Sequence, residues 1–182
     1  MNYLVFFDAI SSKEYEGQEN RKIEYLSHCP EIGDRISMGG QRLWTIVGVD
    51  PYLRPENPEE VIYLAHCTID PQKIESVDRS TWFRVRAYQE QEPNLQLFFG
   101  EGVLLRVSRD LIGGKPEVGY LLSQYNPMEQ AVTSRPWGIT SVASYFPSAD
   151  INQPCYLAVH VCQCVYVPEA LESDTSNWLV HA

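Results

Sequence analysis

Short runs of apolar and β-branched residues, separated by turn signals, recur along the whole 182-residue chain. The clearest runs are residues 61–69 and 155–167. Roughly eight to ten short strands with turns about every 8–12 residues are typical of an antiparallel β-barrel or β-sandwich. Asp70-Pro71 and Asn126-Pro127 each have the pattern of a helix start. The sequence therefore predicts a mainly β fold, an antiparallel barrel or sandwich of short strands, with one or two short helices.

A hairpin is predicted within residues 30–52. Gly33-Asp34 marks a turn, a short strand covers residues 35–38, and Gly39-Gly40 reverses the chain into a second strand over residues 41–49. This local pattern resembles the hairpin of small SH3-like barrels. Because the likeness covers about twenty residues of one supersecondary motif, it implies nothing about function.

Three other local features complete the predicted organisation. Asp50-Pro51 is predicted to end the second strand of that hairpin, because proline lacks the N–H that an interior strand residue donates. Gly100-Glu101-Gly102 predicts another hairpin, between strands over residues 95–99 and 103–107. The stretch around Pro136 and Gly138 is predicted to be a loop.

The length and composition fit one β-rich domain spanning residues 1–182, with a possible subdivision near residues 89–94. Hydrophobic residues make up 44% of the chain and aromatic residues 12%, which is ordinary for a globular protein and not for a disordered one. A chain of this length can bury a substantial core.

The charge balance limits the class of partner. With 24 acidic and 14 basic residues the formal net charge is −10. Such a field repels phosphate backbones and anionic lipid, so we expect no nucleic-acid partner and no membrane partner. It favours a protein partner with a basic or mixed surface. The sequence does not determine the oligomeric state.

The N-terminal residues and the cysteines predict a cytoplasmic, soluble protein. The apolar run near the start covers only residues 3–7, which fits neither a signal peptide nor a membrane span. Five cysteines, an odd number, are most simply interpreted as reduced thiols in a cytoplasm.

In the stretch His160–Val167, "HVCQCVYV", one histidine and two cysteines occupy every second position. On a strand, His160, Cys162 and Cys164 share one face, and valines dominate the other face. The valine face is predicted to be the better core face. The favoured interpretation is that the cysteines are small buried hydrophobic side chains.

An alternative interpretation is a metal site or a reactive thiol on that strand. Zinc accepts thiolate and imidazole ligands, and a neighbouring strand could supply His66 or Cys67. The alternative set is thus His66, Cys67, His160, Cys162 and Cys164, with zinc as the candidate cofactor. Among single thiols, Cys29 is the best candidate nucleophile because it lies at a loop edge beside His28.

An arginine and aromatic face is predicted in "STWFRVRAYQ". On a strand, Trp82, Arg84, Arg86 and Tyr88 share one face, and Arg106 could join them from a neighbouring strand. Tryptophan, tyrosine and arginine are enriched at protein interfaces. The alternative is a solvated sheet face whose arginines pair with the many acidic residues.

Trp137 lies in the predicted loop "TSRPWGITS" and is interpreted either as a plug over the core or as the tip of an interaction loop. Catalytic templates are missing from the sequence: it contains no Gly-x-Ser-x-Gly, His-Glu-x-x-His or Gly-x-Gly-x-x-Gly motif. The sequence therefore favours a non-enzymatic, cytoplasmic protein-binding or adaptor β-domain without a cofactor. The alternative is a metal- or thiol-dependent enzyme, or a ligand-binding barrel, centred on residues 160–164.

Overall fold

The computed structural model describes residues 2–9, 21–38, 43–69, 94–110, 115–126, 131–152 and 154–167. Ten strands lie in these ranges: β1 Tyr3–Ala9, β2 Arg21–Leu26, β3 Arg35–Ser37, β4 Leu43–Arg54, β5 Asn57–Thr68, β6 Asn94–Gly100, β7 Val103–Asp110, β8 Leu121–Asn126, β9 Ala131–Pro147 and β10 Val159–Tyr166. No helix occurs in the described ranges, and so none there is long and apolar enough to cross a membrane. The prediction of a mainly β fold is confirmed.

The two predicted helices are not confirmed. The helix expected after Asp70 lies outside the described residues. The helix expected after Asn126 meets a different structure at both ends, because Asn126 closes β8, Ala131 opens β9, and these two residues lie opposite each other in an antiparallel pair. Asn126, Ala131 and Val132 are thus paired in strands, and residues 127–130 lie outside the described residues.

The chain divides into two compact units. Unit 1 comprises Met1–Pro93 and Tyr145–Ala158, and unit 2 comprises Asn94–Ser144 and Val159–Ala182. A compact unit need not fold independently, so the single domain with a subdivision near residues 89–94 stays a prediction.

Unit 1 contains an open, mixed sheet in the order β2-β1-β5-β4, with β3 beside β4. The central pair β1 and β5 is parallel, whereas β1 and β2 and also β4 and β5 are antiparallel. The described pairings in this unit do not close into a barrel, so the predicted antiparallel barrel is wrong here. A parallel pair needs a long crossover connection, and the local turn signals of the sequence cannot reveal one.

The two faces of the unit 1 sheet differ in character. One face is an apolar cluster that includes Val5, Phe7, Trp44 and Cys67. The other face carries Phe6 and Leu64 and also the polar residues described below, all of them buried. Because side chains alternate along a strand, the nearly continuous burial of β1 means that both of its faces are covered.

The antiparallel strand pair predicted in residues 30–52 is confirmed as β3 and β4, with Ile36 opposite Trp44, and the predicted Gly39-Gly40 turn lies outside the described residues. The predicted end of the second strand at Asp50-Pro51 is wrong, since β4 continues to Arg54. The Pro51 carbonyl accepts a hydrogen bond from the Ser148 N–H at 3.0 Å. The nitrogen of a strand residue points to the same side as its carbonyl, so the missing N–H of Pro51 removes no bond from the β5 ladder.

Unit 2 contains β6 between a parallel partner, β10, and an antiparallel partner, β7. The antiparallel pair β8 and β9 completes its described strands. The predicted hairpin at residues 100–102 is confirmed: Glu101 and Gly102 have φ angles of 52° and 77°, which a two-residue primed turn requires. This unit is also mixed, and its described pairings do not close into a barrel.

The loop predicted around Pro136 and Gly138 is wrong, because both residues lie inside the 17-residue strand β9. Opposite them, the ladder to β8 has a register shift between Leu122 and Gln124. Pro136 falls within that shift, where a missing N–H does least harm to the pairing.

Candidate functional site

A polar cluster lies on the second face of the unit 1 sheet, with one residue on each of three neighbouring strands. Asp8 on β1 is beside His66 on β5 in the parallel register, and Asp50 lies on β4. His66 Nε2 is 2.8 Å from Asp50 Oδ2, and both side chains are only 1% exposed. Asp8 is likewise buried. The sheet register thus brings two carboxyl groups and one imidazole together inside an otherwise apolar layer.

Two tyrosines extend this cluster and attach the 145–158 segment of unit 1 to the sheet. The Tyr52 hydroxyl donates to the Tyr156 carbonyl at 3.0 Å, and the Tyr156 N–H donates back to the Tyr52 oxygen at 3.3 Å. The Tyr156 hydroxyl donates to Asp8 Oδ2 at 3.5 Å. Burial, and after it the nearby Cys155, raises the pKa of Tyr52 above its ordinary range. Tyr52 therefore stays a neutral donor.

The burial of the polar cluster decides what it can do. Asp8, Asp50, His66, Tyr52 and Tyr156 are each at most 2% exposed, so a substrate cannot reach them without opening the unit. Buried polar groups cost free energy unless they are paired, and their pairing fixes one strand register against alternatives. We interpret the cluster as a device that specifies the β1-β5-β4 register.

A second, partly exposed polar group lies at the Arg54 end of β4. The Tyr145 hydroxyl donates a short hydrogen bond to Glu60 Oε1, and Arg54 Nη1 donates to Glu60 Oε2 at 2.9 Å. The Tyr145 bond, followed by Arg54, holds the pKa of Glu60 below its usual value despite partial burial. This group ties β9 to the β4 and β5 pair within unit 1.

The histidine and cysteine strand β10 lies in unit 2. His160 Nδ1 is 2.9 Å from the Ser144 hydroxyl, and His160 is buried. Cys162 and Cys164 pack in an apolar cluster with Phe98 and Ile139. Burial raises the pKa of Cys162 to about 12 and that of Cys164 to about 11. Thiols in such surroundings are poor nucleophiles.

The prediction that the valine face of β10 is the better core face is wrong. In the first half of the strand both faces are covered, because Val159 and Val161 are buried together with His160 and Cys162. In the second half only the His/Cys face stays in the core, since Cys164 is buried whereas Gln163 and Val165 are exposed.

The alternative metal ligands fall in different units. His66 and Cys67 belong to unit 1, and Cys67 Sγ donates to the Ala65 carbonyl at 3.6 Å. His160, Cys162 and Cys164 belong to unit 2. Across the described part of the chain, no group of three or more histidine, cysteine and acidic side chains is arranged to hold a metal ion.

Native thiol labelling should separate the cysteines by burial. With a disulfide reagent at about pH 8, Cys162 and Cys164 should react only on unfolding, because burial denies the reagent access and raises their pKa values to about 12 and about 11. Cys29 is exposed and should react first. Mass spectrometry of the labelled peptides gives the order. In the Cys29→Ser variant the fast phase should disappear, and fast native labelling of Cys164 would contradict the prediction.

An aromatic surface surrounds Gly100 in unit 2. The Trp137 and Tyr166 rings lie 6.0 Å apart at a tilt of 59°. Trp137 and Leu105 approach Gly100 so closely that a Cβ there would lie 2.5 Å from the indole. Val103, directly opposite Gly100 on β7, is 64% exposed, and Tyr166 is 41% exposed. We call Trp137, Tyr166, Val103 and Leu105 the aromatic surface.

Trp137 therefore combines parts of both interpretations offered by the sequence. It packs against the apolar cluster that contains Cys162, as a plug would. It is also partly exposed and extended by Tyr166. It lies on a strand, so it is not the tip of a loop.

The predicted arginine and aromatic face is only partly described. Trp82, Arg84, Arg86 and Tyr88 lie outside the described residues. Arg106 lies on β7, opposite Phe98 of β6, and is partly exposed. Whether Arg106 joins the other four stays a prediction.

The polar cluster was not predicted from the sequence, although a signal for it exists. Asp8 and Asp50 each stand inside an apolar run, "LVFFDA" and "TIVGVDPY". A single carboxyl group inside a largely apolar run indicates a buried, hydrogen-bonded side chain rather than a strand end.

No protein-family model, curated protein or solved structure matches this chain. Its function is therefore inferred from the geometry and chemistry of its own residues.

Proposed function

We propose that this chain is a non-enzymatic, cytoplasmic protein-binding or adaptor β-domain that contacts its partner through the aromatic surface of unit 2. The observation that carries the proposal is the pair of partly exposed rings, Trp137 and Tyr166, beside the exposed side chain of Val103. Rings held by a sheet lose little conformational entropy on binding, which is why tryptophan and tyrosine dominate binding hot spots.

The burial of reactive groups supports a binding role over a catalytic one. The alternative enzyme depends on a set of histidines and cysteines that the structure buries. At most 4% of the surface is exposed for each of His66, His160, Cys162 and Cys164. A nucleophile or general base must reach its substrate. The described exposed surface of unit 2 includes apolar and aromatic side chains such as Val103 and Tyr166.

Charge complementarity favours a partner with a basic or mixed surface. The chain carries a formal net charge of −10, and Glu101 beside Gly100 is exposed next to the aromatic surface. A positive patch on the partner would speed association, and the rings would supply most of the affinity. The five cysteines are free thiols, which supports a reducing, cytoplasmic location.

Affinity capture with matched variants tests the proposal. Tyr166→Ser should reduce recovery of the partner, because loss of an aromatic anchor raises a dissociation constant about 30-fold. Tyr25→Ser is the control, because Tyr25 is a tyrosine of similar exposure, 56%, in unit 1. The recovered protein is then purified and titrated by calorimetry. Equal binding by wild type and Tyr166→Ser would exclude the aromatic surface.

Variants of the arginine and aromatic face at residues 82–88 are tested separately in the same assay. We expect Arg84→Ala and Arg86→Ala to leave folding intact and to weaken binding mainly at low salt, because guanidinium contacts at an interface rim act on association rate. Unchanged binding across the salt series would remove this face from the contact surface.

A further inference from the structure

The strand β2 is the outermost strand of the described sheet order in unit 1. It pairs with β1 along its whole length, from Arg21 opposite Asp8 to Leu26 opposite Tyr3. On its other side no described strand is paired with it. An outer strand of this kind presents N–H and C=O groups that another extended chain can complete.

The charges on β2 are self-complementary about Ile23. Lys22 and Glu24 flank Ile23 on the opposite sheet face, and their side chains form an ion pair of 2.8 Å with 36% and 42% exposure. In a two-fold antiparallel pair of identical strands, one residue must lie opposite its own copy. Centring the pair on Ile23 sets each Lys22 opposite a Glu24 of the other copy.

The neighbouring two-fold registers are unfavourable by comparison. Centring on Glu24 sets two carboxylates opposite each other, and centring on Lys22 does the same with two ammonium groups. Like charges directly opposite each other destabilise a strand pair, whereas opposite charges and β-branched pairs stabilise it. Ile23 opposite Ile23 supplies the β-branched pair, so a single register satisfies all three positions.

We propose that β2 is a dimerisation edge, and that its occupant is the β2 strand of a second copy of this chain, paired antiparallel about Ile23. A lone edge lysine normally discourages pairing of this kind. In the proposed dimer Glu24 of the second copy lies opposite each Lys22 and compensates its charge. Lys22 therefore disfavours pairing with most other strands but not with a second copy of β2. The long-range repulsion between two acidic copies is screened beyond about 8 Å at physiological ionic strength, and the Lys22–Glu24 contacts are much shorter.

Charge exchange tests this dimer directly. A strand pair this short forms a weak dimer, so sedimentation equilibrium of the full chain is measured up to the highest soluble concentration. Lys22→Glu should raise the dimer dissociation constant about tenfold or more, because a carboxylate at position 22 then lies opposite the carboxylate of Glu24 in the other copy. The double variant Lys22→Glu/Glu24→Lys restores opposite charges and should restore the wild-type constant. Thermal melting of each variant confirms that the fold is retained.

Cysteine crosslinking tests the register. In a Cys29→Ser background, Ile23→Cys should form a covalent dimer under mild oxidation, because directly opposite residues have Cα atoms about 4.5–5.5 Å apart. Tyr25→Cys is the matched control: it is exposed on the same face of β2, but the register separates it from its own copy by about 13 Å. It should form no covalent dimer.

Three results would overturn the proposal. These are a wild-type chain that stays monomeric at every concentration, a Lys22→Glu variant that dimerises like wild type, and crosslinking of Tyr25→Cys as fast as that of Ile23→Cys. A dimer that survives Lys22→Glu would place the contact elsewhere on the chain.

Discussion

Replacing His66 with alanine is expected to lower the free energy of unfolding by about 3–5 kcal/mol, the cost of removing one partner of a buried hydrogen-bonded pair together with the volume of the ring. His66 Nε2 lies 2.8 Å from Asp50 Oδ2, and both side chains are 1% exposed. Asp50 would lose its histidine partner inside a low-dielectric layer. Loss of the ring also leaves a cavity, which adds to the destabilisation. Urea unfolding followed by circular dichroism measures the change.

Two controls distinguish the loss of the pair from a general effect of histidine replacement. His28 is exposed, so His28→Ala should change stability by less than about 0.5 kcal/mol. The double variant Asp50→Val/His66→Leu replaces both partners with apolar groups of similar size. It should be clearly more stable than His66→Ala, because Asp50, which would have lost its histidine partner, is itself replaced by an apolar side chain. If His66→Ala lost less than about 1 kcal/mol, the cluster would not specify the register.

The hairpins could be predicted from the sequence because a hairpin is local. Glu101 and Gly102 both adopt positive φ, and Gly-Glu-Gly between two apolar runs is the sequence pattern that predicted this turn. A two-residue turn of this kind fixes the register of its own two strands, with Gly100 opposite Val103, so pattern and structure agree there. The pair β3 and β4 was predicted in the same way from Gly39-Gly40, but its observed register, with Ile36 opposite Trp44, differs by one residue from that of a two-residue turn at those glycines.

The polar cluster could not be predicted because it depends on the parallel pair β1 and β5. Asp8 and His66 are 58 residues apart in the sequence, and only the register of that pair makes them neighbours. The sequence of neither strand indicates with which distant strand it pairs. The Asp50-Pro51 dipeptide predicted the end of a strand at this position. Strand β4 continues because the Pro51 nitrogen lies on the Ser148 side, where the missing N–H removes no hydrogen bond to β5.

Strand β9 illustrates tertiary context prevailing over composition. Pro136 and Gly138 are turn residues by preference, yet both are within the strand. Gly138 is buried, and a Cβ there would lie 3.0 Å from Val167 and 3.2 Å from Leu121, so the glycine serves close packing. A glycine selected for packing and a glycine selected for a turn are identical in the sequence.

Replacing Gly100 with valine is expected to cost about 3 kcal/mol of unfolding free energy, through overpacking beside Trp137. A Cβ at this position lies 2.5 Å from Trp137 Cζ3 and 2.8 Å from Leu105 Cδ1. Leu105 can change rotamer, but the indole is rigid and is held against Tyr166. The strand must therefore shift, and the β6 and β7 hairpin shifts with it. Urea unfolding monitored by tryptophan fluorescence reports this change.

A double-mutant cycle assigns the clash to the indole. Trp137→Leu alone should destabilise unit 2 by removing packed area, yet combined with Gly100→Val it should recover about 1–2 kcal/mol relative to the sum of the single changes. Gly138→Ala is the graded control, because its nearest neighbours are the flexible ends of Val167 and Leu121 at 3.0 Å and 3.2 Å. It should cost clearly less than Gly100→Val. Additive single changes would show that Gly100 is not held small by Trp137, and the aromatic surface would then lose its rigid support.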